Sequence, residues 1–317
     1  GLNMLSEKES EEAALEWFRE LGYETAYGPD ISPGGDKPER NSYSQVILLK
    51  RLRGALLRIN PKLPDEAIEE AIHRILNIAS PDLAKSNRDF HLMLREGVRV
   101  EITKENGETT GEIVNLFDFE DLSNNDWLAV NQFTVIEGEY KRIPDIVIFV
   151  NGIPVAVIEL KDPSDIRATL MKAYNKIQNY KHDIPSLFYY NEIILISDGN
   201  EAKCGTITSH WERFSPWKTI RGDEPPKEMM PLEVGIRGVF DKNVLLELMR
   251  DFISFEFDGA RWIKKLAMYQ QRDAVKIAVD ATLETIKSKD KRIGVIWHAQ
   301  GAGKSLTMVF YLSLIHI

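Results

Sequence analysis

The sequence predicts a mixed α/β chain of two units, a sheet-centred first unit followed by the opening of a second. Three observations carry this. Residues 144–161 hold two nearly continuous apolar strands, 145–150 and 154–161, around Asn151-Gly152, the pattern of a hairpin buried on both faces. An amphipathic helix over 164–182 and an apolar run at 192–197 follow, giving the strand–helix–strand order of an α/β layer. Further on, Ile293-Gly-Val-Ile-Trp297, His298-Ala-Gln-Gly-Ala-Gly-Lys-Ser305 and Leu306-Thr-Met-Val-Phe310 read as strand, glycine-rich turn and helix.

The elements follow in order. Residues 6–21 read as a helix that Gly22 stops, and 28–40 are a Gly- and Pro-rich loop. Two helices, 43–59 and 65–78, are separated by Asn60-Pro-Lys-Leu-Pro64. A short hairpin, 98–103 with 110–114, turns at Glu105-Asn-Gly107, and 133–137 is a strand. Pro163 ends the central hairpin. On the helix after it, Ile166, Leu170, Ala173, Ile177 and Tyr180 recur at spacings of four and three. Residues 221–231 break the pattern, a helix follows at 243–252, and the second unit begins near Asp258. The expected division is therefore 1–225, a connecting segment at 226–258, and 259–317.

Composition narrows the function classes. The 317 residues suffice for two domains with their own cores. Hydrophobic content of 43% and charged content of 28% are ordinary for a globular protein, and no apolar run approaches the about 18–20 residues that cross a bilayer. Cys204 is the only cysteine, which excludes an internal disulfide and a multi-cysteine zinc site and suits a reduced, cytoplasmic setting. Forty basic against 49 acidic residues give a net charge of −9, so a strong freestanding grip on nucleic acid is not expected.

Two constellations carry chemistry. In the central hairpin stand Pro144-Asp145 and Glu159-Leu160-Lys161. Two carboxylates and the Leu160 backbone carbonyl make a hard-oxygen site suited to Mg²⁺, and Lys161 shares a strand face with Glu159, placed to steer a water or neutralise developing charge. Glu-x-Lys on a strand is by itself more often a solvated face. Here, though, the charges interrupt apolar runs, where burial is costly. For the two carboxylates to face each other, the hairpin must leave an odd number of unpaired residues: a three-residue loop, Asn151-Gly152-Ile153, pairing Val150 with Pro154, or a bulge. The second constellation is a phosphate-binding loop whose first glycine is replaced by His298. Gly301 and Gly303 let backbone N–H groups close on phosphate oxygens, Lys304 reaches the β/γ-phosphates and Ser305 holds Mg²⁺, the equipment of an ATP site.

The hairpin resembles the P-D…(D/E)-x-K core of restriction-type nucleases. In one branch a Q-x-x-x-Y motif follows on the next helix; here Tyr180 fills the Tyr slot, Lys176 stands in the Gln slot, and Gln178 lies two residues on. Glu11 resembles an accessory acid of some members, although a lone helical Glu is more often solvent-facing. Together with the phosphate loop, the chain is similar to the restriction (R) subunit of type I restriction–modification enzymes. The similarity runs through Leu15-Glu-Trp17, Leu21-Gly-Tyr23, Asn87-Arg-Asp-Phe90, Ser197-Asp-Gly199, Gly205-Thr-Ile-Thr208 and Arg213-Phe-Ser-Pro-Trp-Lys218. Tyr269-Gln-Gln271 resembles the adenine-reading motif of superfamily 2 motors.

The resemblance implies a restriction-endonuclease-like domain, a central mixed sheet flanked by helices, followed by an incomplete RecA-like lobe. It implies Mg²⁺-dependent cleavage of double-stranded DNA far from a recognition site, ATP-driven translocation, and methylation and specificity subunits as partners, with no membrane. Asp145, Glu159, Lys161, Tyr180 and Gln178 would be catalytic, and Gln271, Gly301, Gly303, Lys304 and Ser305 would bind the nucleotide. No ATPase is expected of these 317 residues alone, because the acidic box and second motor lobe are not in them. Another nuclease–helicase fusion of repair or defence, or a nucleotide-binding assembly module with an inert hairpin, remains an alternative. Trp211, Phe214 and Trp217 are expected to pack in the core and not to stack on bases.

Overall fold

Helix starts in this chain are set by caps and by long-range bonds as much as by periodicity. The computed structural model describes residues 5–162, 169–220, 226 and 228–288. The Ser6 hydroxyl accepts from the Glu9 N–H and the Glu9 carboxylate accepts from the Ser6 N–H, a reciprocal cap that opens α1 (Glu7–Glu20). Strand β1 (Glu24–Tyr27) and the single-turn α2 (Gly28–Ile31) follow. Helix α3 (Leu49–Ile59) starts later than the pattern at 43–59 predicts. Residues 43–48 are held elsewhere: Arg40 donates to the carbonyls of Tyr43, Gln45 and Thr134, and the Leu48 N–H donates to the Gly152 carbonyl. Helix α4 (Asp65–Leu76) matches expectation. Helix α5 (Leu83–Glu96), capped by Asp82 and ended at Gly97, was not predicted.

Strands β2 (Val98–Thr103) and β3 (Thr109–Val114) form the expected small hairpin. Strand β4 (Trp127–Asn131) was missed. The strand expected at 133–137 is only β5 (Val135–Glu137), paired with β6 (Tyr140–Arg142) outside the main sheet. Strands β7 (Ile146–Val150) and β8 (Ile153–Leu160) make the central hairpin, and helix α6 (Leu170–Asp183) leads to β9 (Ile193–Ser197), β10 (Ala202–Gly205) and the short β11 (Ser215–Pro216). Helices α7 (Pro231–Val239) and α8 (Lys242–Asp251), the hairpin β12 (Ile253–Phe257) with β13 (Trp262–Leu266), and α9 (Tyr269–Ser288) complete the described chain. The first turn of the helix expected at 164–182 and the strand, glycine-rich turn and helix expected at 293–310 lie outside the described residues.

The main sheet has seven strands in the order β1-β4-β7-β8-β9-β10-β11 and is mixed: β1/β4 and β8/β9 are parallel, the other pairs antiparallel. Every residue of β7, β8 and β9 is buried, as apolar runs covered on both faces require. Helix α1 packs on β1, β4 and β8, and α6 packs on β8 and β9.

Residues 231–267, expected as connecting segment and start of a second unit, pack into the same core. Helix α7 lies on α1 and β10, α8 on α5 and β12, and the Tyr23 hydroxyl donates to the Phe240 carbonyl at 2.8 Å. Phe214 and Trp217 are buried in that core, and Trp211 packs edge-on against Tyr174. Among the described residues no helix is long and apolar enough to cross a membrane.

Candidate active site

The central hairpin brings Asp145 and Glu159 together by a turn and a bulge. Asn151 and Gly152, with φ of 54° and 73°, form the tight two-residue turn favoured between twisted strands, and Val150 pairs with Ile153. The three-residue loop is therefore not used. One residue is instead inserted at Val155: Phe149 pairs with Pro154, but Ile148 pairs with Ala156, and the shifted register runs on to Ile146 opposite Ile158. The next pair outward is Asp145 and Glu159. The bulged Val155 carbonyl accepts the Glu192 N–H at 2.6 Å, so that carbonyl is satisfied from the β9 side.

Both carboxylates are buried, Glu159 completely. The Leu160 N–H donates to Asp145 Oδ2 at 2.8 Å, and the Asp145 N–H lies 3.5 Å from Glu159 Oε2. Burial, with the charge of Glu159 adding to it, pushes the Asp145 carboxyl up to about 8; the Leu160 N–H and Lys176 pull the other way. Burial also raises Glu159, opposed by the positive charges of Lys176 and Lys161. Two acids are thus crowded into a buried place, and the nearby lysines do not offset the burial.

The flanking residues sort clearly. Lys161 is half-buried one position beyond β8, its N–H donating to the Ser197 carbonyl at 2.9 Å, and its charge acts on Glu159. From α6, the Tyr180 hydroxyl sits 3.4 Å from both Glu159 oxygens and 3.5 Å from the Ile143 carbonyl. Burial and the two carboxylates raise the Tyr180 phenol, which stays protonated as a donor. Lys176, four residues before Tyr180 and so on the same helix face, brings its Nζ to 2.8 Å from Glu159 Oε1. Gln178 does not join them: at 100° per residue it points about 200° away from both neighbours of that face, and among the described contacts it reaches neither carboxylate. The spacing of four between residues 176 and 180, which is that of the Q-x-x-x-Y slot, was the signal that put Lys176 on this face.

Glu11 is buried, not solvent-facing. Its Oε1 accepts from the Asn131 amide and its Oε2 from the Gln132 amide, each at 2.7 Å. Burial raises its carboxyl, the two amides oppose that, and the charge of Asp145 adds to it. Gln132 sits at φ 55° and its N–H donates to the Asp145 carbonyl at 2.9 Å, so this strained residue ties Glu11 to the strand entry. Even so, among the described residues no group of three His, Cys, Asp or Glu side chains is arranged to hold a metal.

Gln271 caps its own helix: Oε1 accepts the Met268 N–H at 2.8 Å at the start of α9. Gly301, Gly303, Lys304 and Ser305 lie outside the described residues.

A mixed sheet flanked by helices, with an acidic pair on its buried central hairpin and lysines beside it, defines a class of α/β domain built around a carboxylate site. Comparison with known families narrows this. Residues 4–213 match the family described as type I restriction enzyme R protein N terminus, and residues 270–317 match SWI2/SNF2 ATPase. The chain is 40% identical over 316 residues to the type I restriction enzyme HindI endonuclease subunit of Haemophilus influenzae. It is 36% identical over 326 aligned positions to a Methanocaldococcus jannaschii protein provisionally named the MjaIXP endonuclease subunit of a type I restriction enzyme. These alignments cover 97% and 95% of the chain and 30% of each relative, so the chain spans less than a third of their length. The chain belongs to the type I restriction enzyme R protein family, in its N-terminal part.

Proposed function

We propose that this chain carries the DNA-cleaving site of a type I restriction subunit, hydrolysing phosphodiester bonds of double-stranded DNA with Mg²⁺. The observation that supports this most is the register that sets Asp145 opposite Glu159 inside a buried hairpin, with Lys161 alongside. The donor set fits a hard divalent ion: it is all oxygen, and Asp145, pushed up to about 8 by burial beside Glu159, lacks the positive charge its ionised form needs. Asp145, Glu159 and the Leu160 carbonyl would hold Mg²⁺, which when bound lowers the pKa of water and offsets charge on the phosphodiester. Lys161 supplies a fixed positive charge beside the attacked phosphate. Tyr180 orients Glu159, and Glu11, held by Asn131 and Gln132, supplies a further negative group at the edge.

The remaining reading concerns the larger enzyme. Lys304 and Ser305, with Gly301 and Gly303, would serve ATP and its Mg²⁺, and Gln271 the adenine, in a RecA-like lobe that drives translocation. The methylation and specificity subunits would supply recognition, in keeping with the acidic charge of the chain. In the assembled enzyme, Asp145→Asn, Glu159→Gln and Lys161→Ala should each abolish plasmid linearisation while ATP hydrolysis continues. Cleavage at the wild-type rate in any of the three would remove that residue from the site, and in both acid variants would end the proposal.

A further inference from the structure

Glu159 forms a short ion pair with Lys176, at 2.8 Å; the Tyr180 hydroxyl at 3.4 Å and the Asp145 N–H at 3.5 Å are longer, and the Asp145 carboxyl also lies against it. The two ends of this ion pair differ. Glu159 is fully buried, while the Lys176 side chain is 38% exposed, with Nζ 5.9 Å from the centre of the Tyr180 ring. The lysine can leave without disturbing the core, and its four-carbon stem is flexible. A neutral Gln in this slot could not supply the charge.

A divalent ion held by the Asp145–Glu159 pair would need carboxylate oxygens of both residues. Lys176 already occupies Glu159 Oε1, and two cations on one buried carboxylate repel each other strongly. Resting on the metal-site reading above, we infer that Lys176 is a positioning residue that acts as a resident counter-cation: it holds Glu159 in place before metal arrives and is displaced from Oε1 when the metal binds. Metal loading is then an exchange of one cation for another. The released ammonium, still tethered to the partly exposed Lys176 stem, would be free to pair with a DNA phosphate.

The test uses the 317-residue chain with Mg²⁺ alone, free of DNA and nucleotide. Lys176→Gln should lower the melting temperature in EDTA, enlarge the rise produced by Mg²⁺, and tighten Mg²⁺ binding by calorimetry roughly three- to tenfold. Lys176→Arg, which keeps the charge, should resemble wild type in EDTA. In the wild-type chain, Mg²⁺ should speed acylation of Lys176 by an amine-reactive ester, read by mass spectrometry, as the amine leaves its buried partner. Unchanged or weaker Mg²⁺ binding in Lys176→Gln, or acylation that Mg²⁺ leaves unchanged or slows, would overturn the exchange. Asp145→Asn separates this from the underlying reading. Metal binding that survives there overturns the metal site itself, whereas metal binding lost there but indifferent to Lys176→Gln overturns only the exchange.

Discussion

Gly152 shows how one residue can hold the site at a distance. Its φ of 73° lies where side chains are strained, and a Cβ there would come within 2.4 Å of the Leu48 carbonyl oxygen and 2.9 Å of the Leu52 nitrogen. Both are backbone atoms and cannot swing aside, and the Gly152 carbonyl also accepts the Leu48 N–H at 2.9 Å. Gly152→Ala should therefore destabilise the chain by about 2–4 kcal/mol, through strain and the broken seat of α3. Urea denaturation measures this; a loss below about 0.5 kcal/mol, the usual surface value, would show that α3 yields instead. Asn-Gly was legible in the sequence as a turn because both residues tolerate positive φ. What fixes the turn was not legible: Asn151 donates to the Leu116 carbonyl at 2.8 Å and its Oδ1 accepts the Asp126 N–H at 2.7 Å, contacts that join segments distant in sequence.

Among the elements, the central hairpin, β9 and the helices α1, α4, α6 and α8 were readable, while β1, β4 and the helices α5 and α7 were not. The facing of Asp145 and Glu159 followed from the parity rule of antiparallel pairs, but the place of the extra residue did not. At the bulge, the Val155 carbonyl meets the Glu192 N–H, a partner 37 residues away in the sequence. The family pattern named Tyr180 and Gln178 together, and a two-residue offset on a helix puts them on different faces. Helix α6 also carries a titration. Burial lowers the Lys181 amine to about 8, though its Nζ donates to the Ile207 carbonyl at 2.5 Å. The folded value lies below the unfolded one of about 10.4, so between them the unfolded chain binds more protons and this group makes stability rise with pH. Below about 8 both states are charged and the contribution is flat. Lys181→Met should consequently lose stability relative to wild type between pH 7.5 and 9.5, followed by urea midpoints at each pH. A constant difference across that window would contradict the shift.

At the scale of the whole molecule, the folded unit is larger than the family match at 4–213. A buried polar cluster binds the later chain to the earlier one. Lys264 on β13 and Glu192 before β9 are both fully buried, with Nζ 2.5 Å from Glu192 Oε2 and 2.8 Å from both Asn87 Oδ1 and the Asn191 carbonyl. His91 on α5 lies 2.9 Å from the other Glu192 oxygen. Burial would raise Glu192, but His91 and Lys264 together outweigh it and keep the carboxylate ionised. The backbone of Lys264 is engaged too: its N–H donates to Thr208 Oγ1, and its carbonyl accepts from Thr206 Oγ1, both at 2.8 Å. Removing one member of a buried pair leaves the other charge stranded, at a cost of about 3–5 kcal/mol, so Lys264→Met should be strongly destabilising. The same logic sets where the chain can be cut. A truncation after Met268 keeps the Lys264 cluster, α7, α8 and the Tyr23–Phe240 bond, and should unfold in urea with a single cooperative transition. A truncation after Ile220 strips all of these, leaves Glu192 without its lysine and uncovers the α1 and β10 surfaces under α7. It should aggregate or melt without a cooperative step, although it contains the whole acidic hairpin. If the shorter chain unfolded as cooperatively and at the same urea midpoint as the longer one, residues 231–267 would be an appendage to the nuclease-like core. The expected result makes them part of it, so that the segment leading into α9 is anchored in the same core that sets Asp145 against Glu159.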